Sequence, residues 1–309
     1  MEPFVVRREL ATGQEIYIPG DMEGLPPSGE PGVSCEHSLL YAAGYGHPEG
    51  RYRPELAIVP FQQRSKHGIS ILDFEKQSST MLLSTDAILQ LHPQRERLLK
   101  EDQKMKERFG AEDGLTLMTY CVRWNPQGTR CLFYFGNHCV DKRRGEPKVT
   151  SILTADRTFQ DIHLAVDLSF DRRGVHWGWQ PDGESLIGYG PDENLQVCLA
   201  EVRYDGSDYR KISDHVTGGH PSVSPVNPDL IVTDGPTPTG GAVYFLSRKT
   251  GQEIYRIALP KFTGEKEAPG RNPYRVCLHP VFAPEGNRIL CNSLPGKYAT
   301  LVELQLETT

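Results

Sequence analysis

Trp124-Asn125-Pro126-Gln127-Gly128 and Trp179-Gln180-Pro181-Asp182-Gly183 are copies of one short turn, and Val223-Ser224-Pro225 and Phe282-Ala283-Pro284-Glu285-Gly286 repeat it. The third copy is loosened by an inserted Val226-Asn227-Pro228. Proline presets the bend and glycine supplies the positive φ that ends it. The copies start about 44 to 59 residues apart, the spacing expected of propeller blades. A β-rich run follows each one, at Arg130 to Phe135, Ser185 to Tyr189, Leu230 to Thr233 and Arg288 to Cys291, and reads as a buried strand.

Working outward, Thr12-Gly13-Gln14-Glu15-Ile16-Tyr17 recurs letter for letter as Thr250-Gly251-Gln252-Glu253-Ile254-Tyr255. Outer hairpins are expected near residues 4–18, 69–84, 149–166, 197–212, 242–258 and 299–306, and inner strand pairs precede all but the first. The predicted fold is therefore an all-β propeller of four-stranded blades, one domain over residues 1–309. Six blades are recognisable, and the type is read as seven-bladed and incomplete at the N-terminus, because the first hairpin lacks its inner half. Thr85 to Gly110 breaks the β pattern, with Leu89, Leu91, Leu98 and Leu99 set among charges, and reads as a helical insertion.

The formal charge is -6, so no concentrated cationic face suggests a nucleic-acid partner. Lys142, Arg143 and Arg144 read as a solvated loop. The opening residues lack the apolar core of a signal peptide, and no run reaches the ~20 residues of a membrane helix. A cytoplasmic protein with no membrane partner is expected. Seven cysteines without a Cys-x-x-Cys pair argue against a disulfide framework and a zinc knuckle. There is no Gly-x-Gly-x-x-Gly, Walker loop, Gly-x-Ser-x-Gly elbow or His-Glu-x-x-His, which leaves nucleotide use and serine-hydrolase chemistry unsupported.

The candidates for chemistry are periodic. His176, His220 and His279 each stand three residues before the turn residue of their repeat, Trp179, Val223 and Phe282. Equivalent positions in consecutive blades should face one axial region, where neutral imidazoles could hold a divalent ion, manganese, calcium or zinc, or contact substrate. The other reading is that each histidine caps its own blade through a backbone hydrogen bond. Tyr120 lies beside Cys121, the equivalent position one blade earlier, and is either a general acid or base or a packing aromatic. Asn137 and His138 follow the strand Arg130 to Phe135, and His47 and His67 flank a loop whose Arg51 and Arg53 could grip a carboxylate or simply be solvated.

In order, these motifs resemble the propeller polysaccharide lyases, which include the oligogalacturonate lyases and enzymes acting on ulvan and rhamnose-capped glucuronate. The resemblance runs from about Cys35 to Leu306 and rests on Val175-His176-Trp177-Gly178-Trp179, Gly218-Gly219-His220-Pro221 and Leu278-His279-Pro280-Val281-Phe282. It implies an acidic oligosaccharide substrate cleaved by metal-assisted β-elimination, with His176 matching the catalytic base and His220 and His279 matching metal ligands. It also implies catalytic roles for Tyr120 and the pair His47 and His67; Arg51, Arg53, Asn137 and His138 are expected, apart from the resemblance, as substrate contacts, with Asn137 and His138 equally readable as plain loop residues. Val276 and Val281 stand near the places where those lyases carry a further His and a Gln, and Gly136 where the ulvan-type relatives carry an Arg. The alternative function is a non-catalytic, TolB-like propeller that binds a protein or glycan.

Overall fold

The computed structural model describes residues 3–45, 51–238, 240–260, 277–294 and 299–306. Contacts divide the chain into two compact units, Met1–Asp171 with Tyr204–Gly206, and Arg172–Arg203 with Ser207–Thr309. His47 lies outside the described residues.

In unit 1, β1 (Phe4–Arg8) and β2 (Glu15–Pro19) form a two-stranded sheet, and β3 (Gly32–Cys35) is followed by the short helix α1 (His37–Ala42). β3 pairs with β4 (Gly68–Asp73), which pairs with β5 (Ser78–Ser84). Two helices come next, α2 (Thr85–Leu91) and α3 (Arg95–Phe109), where a helical insertion was expected. Ser84 caps the first by accepting the Ala87 amide at 3.1 Å. Both pack into one core with that sheet and the strands that follow: Ile88, Leu89, Leu98 and Met105 join Val33, Ile69 and Leu83 and also Leu115, Phe133, Phe135 and Leu153. That burial, not helix propensity, holds α3, whose other faces are charged.

A four-stranded antiparallel sheet completes unit 1, formed by β6 (Met118–Trp124), β7 (Arg130–Gly136), β8 (Thr150–Asp156) and β9 (Ile162–Asp167), with a one-turn helix α4 (Asp141–Arg144) after β7. Its middle strands are buried almost end to end, on both faces, with Cys131 to Phe135 of β7 a continuous apolar run.

Unit 2 repeats the plan. β10 (Val175–Trp179), β11 (Ser185–Pro191), β12 (Val197–Arg203) and β13 (Arg210–Ser213) form one sheet; β14 (Ser222–Val223), β15 (Leu230–Thr237), β16 (Gly240–Ser247) and β17 (Glu253–Pro260) form the next. β18 (Val281–Phe282), β19 (Arg288–Ser293) and β20 (Thr300–Gln305) form a third sheet, three-stranded among the described residues. Neighbouring sheets of unit 2 are also tied by Glu201 of β12, which takes the guanidinium of Arg248 at 2.6 Å and that of Arg210 at 2.5 Å.

The repeat in the letters is a repeat in the hydrogen bonds. Gly128, Gly183 and Gly286 sit at φ 66°, 70° and 73°, each donating its amide three residues back, to Asn125, Gln180 and Ala283. Asn125, Gln180 and Ala283 in turn donate to Arg130, Ser185 and Arg288, closing each loop at the same size. The inserted copy closes one residue later, Ser224 to Leu230, so the insertion is absorbed in the turn. The duplicated hexapeptide forms one hairpin twice, with Glu9 donating to Gln14 and Ser247 to Gln252. All seven cysteines are free thiols, and among the described residues no helix is long and apolar enough to cross a membrane.

Candidate functional site

Each of the three periodic histidines sits at the first strand of its sheet in unit 2: His176 within β10, His220 two residues before β14, His279 two before β18. The backbone repeats there as well. His176 and His279 adopt φ 59° and 46°, and Cys121, their counterpart in unit 1, adopts 55°. At His176 and Cys121 this left-handed residue is a bulge in the pairing of the first two strands. Such a conformation costs a non-glycine residue about 1–2 kcal/mol, and histidine tolerates it better than most.

The imidazoles touch in pairs. The His176 and His220 rings are 3.9 Å apart between centroids, and those of His220 and His279 are 3.4 Å apart and stacked. His176 donates Nδ1–H to the carbonyl oxygens of Gly219 at 2.8 Å and Gly218 at 3.1 Å. Both partners only accept, so the proton is assigned to Nδ1 and Nε2 keeps its lone pair. Burial, reinforced by the neighbouring His220, lowers the His176 pKa to about 4, so the ring is neutral near pH 7.

His220 is fixed from beneath by Asp234, a carboxylate in the middle of β15. Asp234 Oδ1 accepts the His220 amide at 2.6 Å and its Nδ1–H at 2.9 Å; Oδ2 accepts the amides of Leu278 at 3.1 Å and His279 at 3.4 Å. Burial alone would raise the pKa of this group, but the bonds from His220 and His279 outweigh it and hold the carboxyl below the usual range. The approach is close: a Cβ on Gly219 would stand 1.7 Å from the Asp234 carbonyl oxygen, so glycine is required there. Tyr189 adds support from β11, its hydroxyl bonding Thr217 at 2.7 Å and Thr233 at 3.1 Å. Asp234 escaped the sequence reading; its one local signal is a charge directly after the apolar run Leu230 to Thr233.

The donor chemistry suits a divalent ion in part. A carboxylate that orients His220 through Nδ1 leaves Nε2 as a ligand, the usual second partner of a metal-bound histidine. His220 and His279 are in ring contact and offer a pair of donors. The full triple does not converge: among the described residues, the group of three whose ligand atoms all lie within 4.8 Å of one another is Glu23, Cys35 and His37, in unit 1.

The remaining candidates lie in unit 1. Tyr120 and His138 stack at 5.1 Å, with Tyr134 and Tyr45 alongside. The Tyr120 hydroxyl is buried without a well-formed hydrogen bond, and burial pushes its pKa well above the tyrosine range; burial lowers that of His138. Asn137 is turned inward, donating to Glu146 at 2.8 Å and Pro147 at 2.9 Å and accepting from Val149 at 2.8 Å. His67 is buried, with Nε2 3.1 Å from the Phe61 carbonyl and Nδ1 3.0 Å from the Thr85 hydroxyl. Arg53 pairs with Glu55 at 2.7 Å, and Arg51 is exposed two residues earlier.

Neither protein-family models nor curated protein sequences match the chain. Solved structures do. An oligogalacturonate lyase in complex with manganese superposes with a TM-score of 0.60 at 13% identity, over 98% of this chain and 71% of that one. An oligogalacturonate lyase from Vibrio parahaemolyticus gives 0.59 at 12%, over 98% and 72%. The β-propeller domain of the Trilobed protease from Pyrococcus furiosus gives 0.51 at 14%, over 99% and 73%. The fold is a β-propeller. At these identities the likeness carries the architecture alone, and one propeller hosts a lyase while another belongs to a protease, so function has to be argued from the histidines.

Proposed function

We propose that this propeller is a lyase that cleaves uronate-containing oligosaccharides by β-elimination, with His176 as the base. The observation that carries the reading is the fixed tautomer of His176: Nδ1–H is spent on two carbonyls, and Nε2 is a neutral acceptor on a ring that packs against His220. In the reaction Nε2 removes the proton on C5 of the uronate, the electron pair forms the C4–C5 double bond, and the C4–O bond breaks. The departing oxygen takes a proton from water or from the newly formed imidazolium.

C5 is acidic enough for this only if the adjacent carboxylate is neutralised. His220, with Nδ1–H held by Asp234, presents Nε2 toward that task together with His279. A manganese or zinc ion on these two nitrogens would bind the carboxylate and stabilise the charge that develops at C5. The similarity to a manganese-bound oligogalacturonate lyase supports this assignment at the level of the fold.

The test is a panel of galacturonide, glucuronide and ulvan oligosaccharides incubated with and without manganese, followed by the absorbance of the unsaturated uronate. Activity is expected on at least one, and His176→Ala should reduce it by about 100-fold or more, the usual contribution of a general base. A flat trace on every substrate, or an undiminished His176→Ala, would instead leave a non-catalytic binding propeller.

A further inference from the structure

A separate group of donors gathers in unit 1, on residues the lyase reading does not use. Three short segments bring it together. Glu23 lies in the chain leading into the bridge between Gly24 and Val33, Cys35 ends β3, and His37 opens α1. The Glu23 carboxylate is 2.8 Å from His37 Nε2, and Cys35 is buried at 2% exposure. One ligand atom from each of the three lies within 4.8 Å of the other two. Ligands of a tetrahedral zinc ion are separated by about 3.5 Å, so only small side-chain rotations are needed to enclose one.

The surroundings are built for fixed geometry. Glu23 is anchored in the bulge of β6: Oε2 accepts the Val122 amide at 2.5 Å, and Oε1, the oxygen beside His37, also accepts the Cys121 amide at 3.3 Å. Asp21 accepts the His37 amide at 2.8 Å and the Ser34 hydroxyl, which holds the start of α1 against the end of β3. A small cavity lined by Asp21, Ser34, Cys35 and Lys66 meets the cluster at Cys35.

We infer that Glu23, Cys35 and His37 form a zinc site, with a ligand set that shares no residue with the histidines of unit 2. The donors decide the metal. A thiolate, an imidazole and a carboxylate together suit Zn²⁺ in tetrahedral coordination, whereas manganese and calcium favour oxygen-rich shells. Three protein ligands leave a fourth position for water. Binding removes the Cys35 thiol proton to solvent as the Zn–S bond forms. The ion would tie β3, α1 and the segment before the bridge to one point.

The experiment uses the full chain, stripped with a chelator and titrated with Zn²⁺ and, separately, Co²⁺. The expected result is one tightly held Co²⁺ that shows thiolate-to-metal charge-transfer absorption and is displaced by Zn²⁺. Cys35→Ser should abolish that absorption and His37→Ala should weaken it, while His220→Ala should leave it intact. Circular dichroism of each variant confirms that the fold survives. Failure of the wild-type chain to retain Zn²⁺ through dialysis would overturn the site, and so would charge-transfer absorption that persists in Cys35→Ser. Neither outcome bears on the lyase reading, which rests on His176.

Discussion

At the scale of single residues, Asp234 matters most because four donors converge on it. An asparagine there keeps the shape but turns an NH₂ group toward either the His220 or the Leu278 donors, leaving buried N–H groups facing each other. Asp234→Asn should therefore cost about 1–3 kcal/mol of stability, read from urea unfolding. It should also lower activity or metal affinity about 10- to 100-fold, since it frees the His220 tautomer. The sequence pointed to the three histidines through their equal spacing ahead of a repeated turn. It could not point to Asp234, whose partners lie 14, 44 and 45 positions away and share no pattern with it. Glu23 was hidden for the same reason, being 98 and 99 positions from the amides it accepts.

At the scale of elements, the turns were readable because proline and glycine answer local φ demands that hold wherever the turn occurs, and Gly128, Gly183 and Gly286 meet the same one. The helical insertion was readable as a loss of alternation, but not what fastens it. His92 does part of that, in the joint between α2 and α3: Nδ1 accepts the Gln94 amide at 3.1 Å, and Nε2–H donates to Ser151 of β8 at 2.9 Å. A ring that accepts at Nδ1 is neutral, and burial lowers its pKa from 6.5. The unfolded chain then binds a proton on this residue at a higher pH than the folded chain does. Stability from this group is complete above about pH 6.5 and is lost as pH falls through the lower folded value. Urea midpoints should thus drop between about pH 7.5 and 5, and His92→Gln should flatten that drop.

At the scale of the whole molecule, both units use one device: a carboxylate that accepts two successive amides at the first strand of a sheet. Glu23 takes Cys121 and Val122 in unit 1, and Asp234 takes Leu278 and His279 in unit 2. Hydrogen exchange should find the Val122 and Leu278 amides slow for residues near the margin of a sheet. Asp234→Asn should speed Leu278 and leave Val122 unchanged. The device also bears on how a chain of near-duplicate segments assembles correctly. Turns as alike as these invite mispairing, since one β segment can dock where its sibling belongs. A carboxylate satisfied by a particular pair of amides fits a single alignment, so Glu23 and Asp234 act as keys that tell otherwise interchangeable parts of the chain apart.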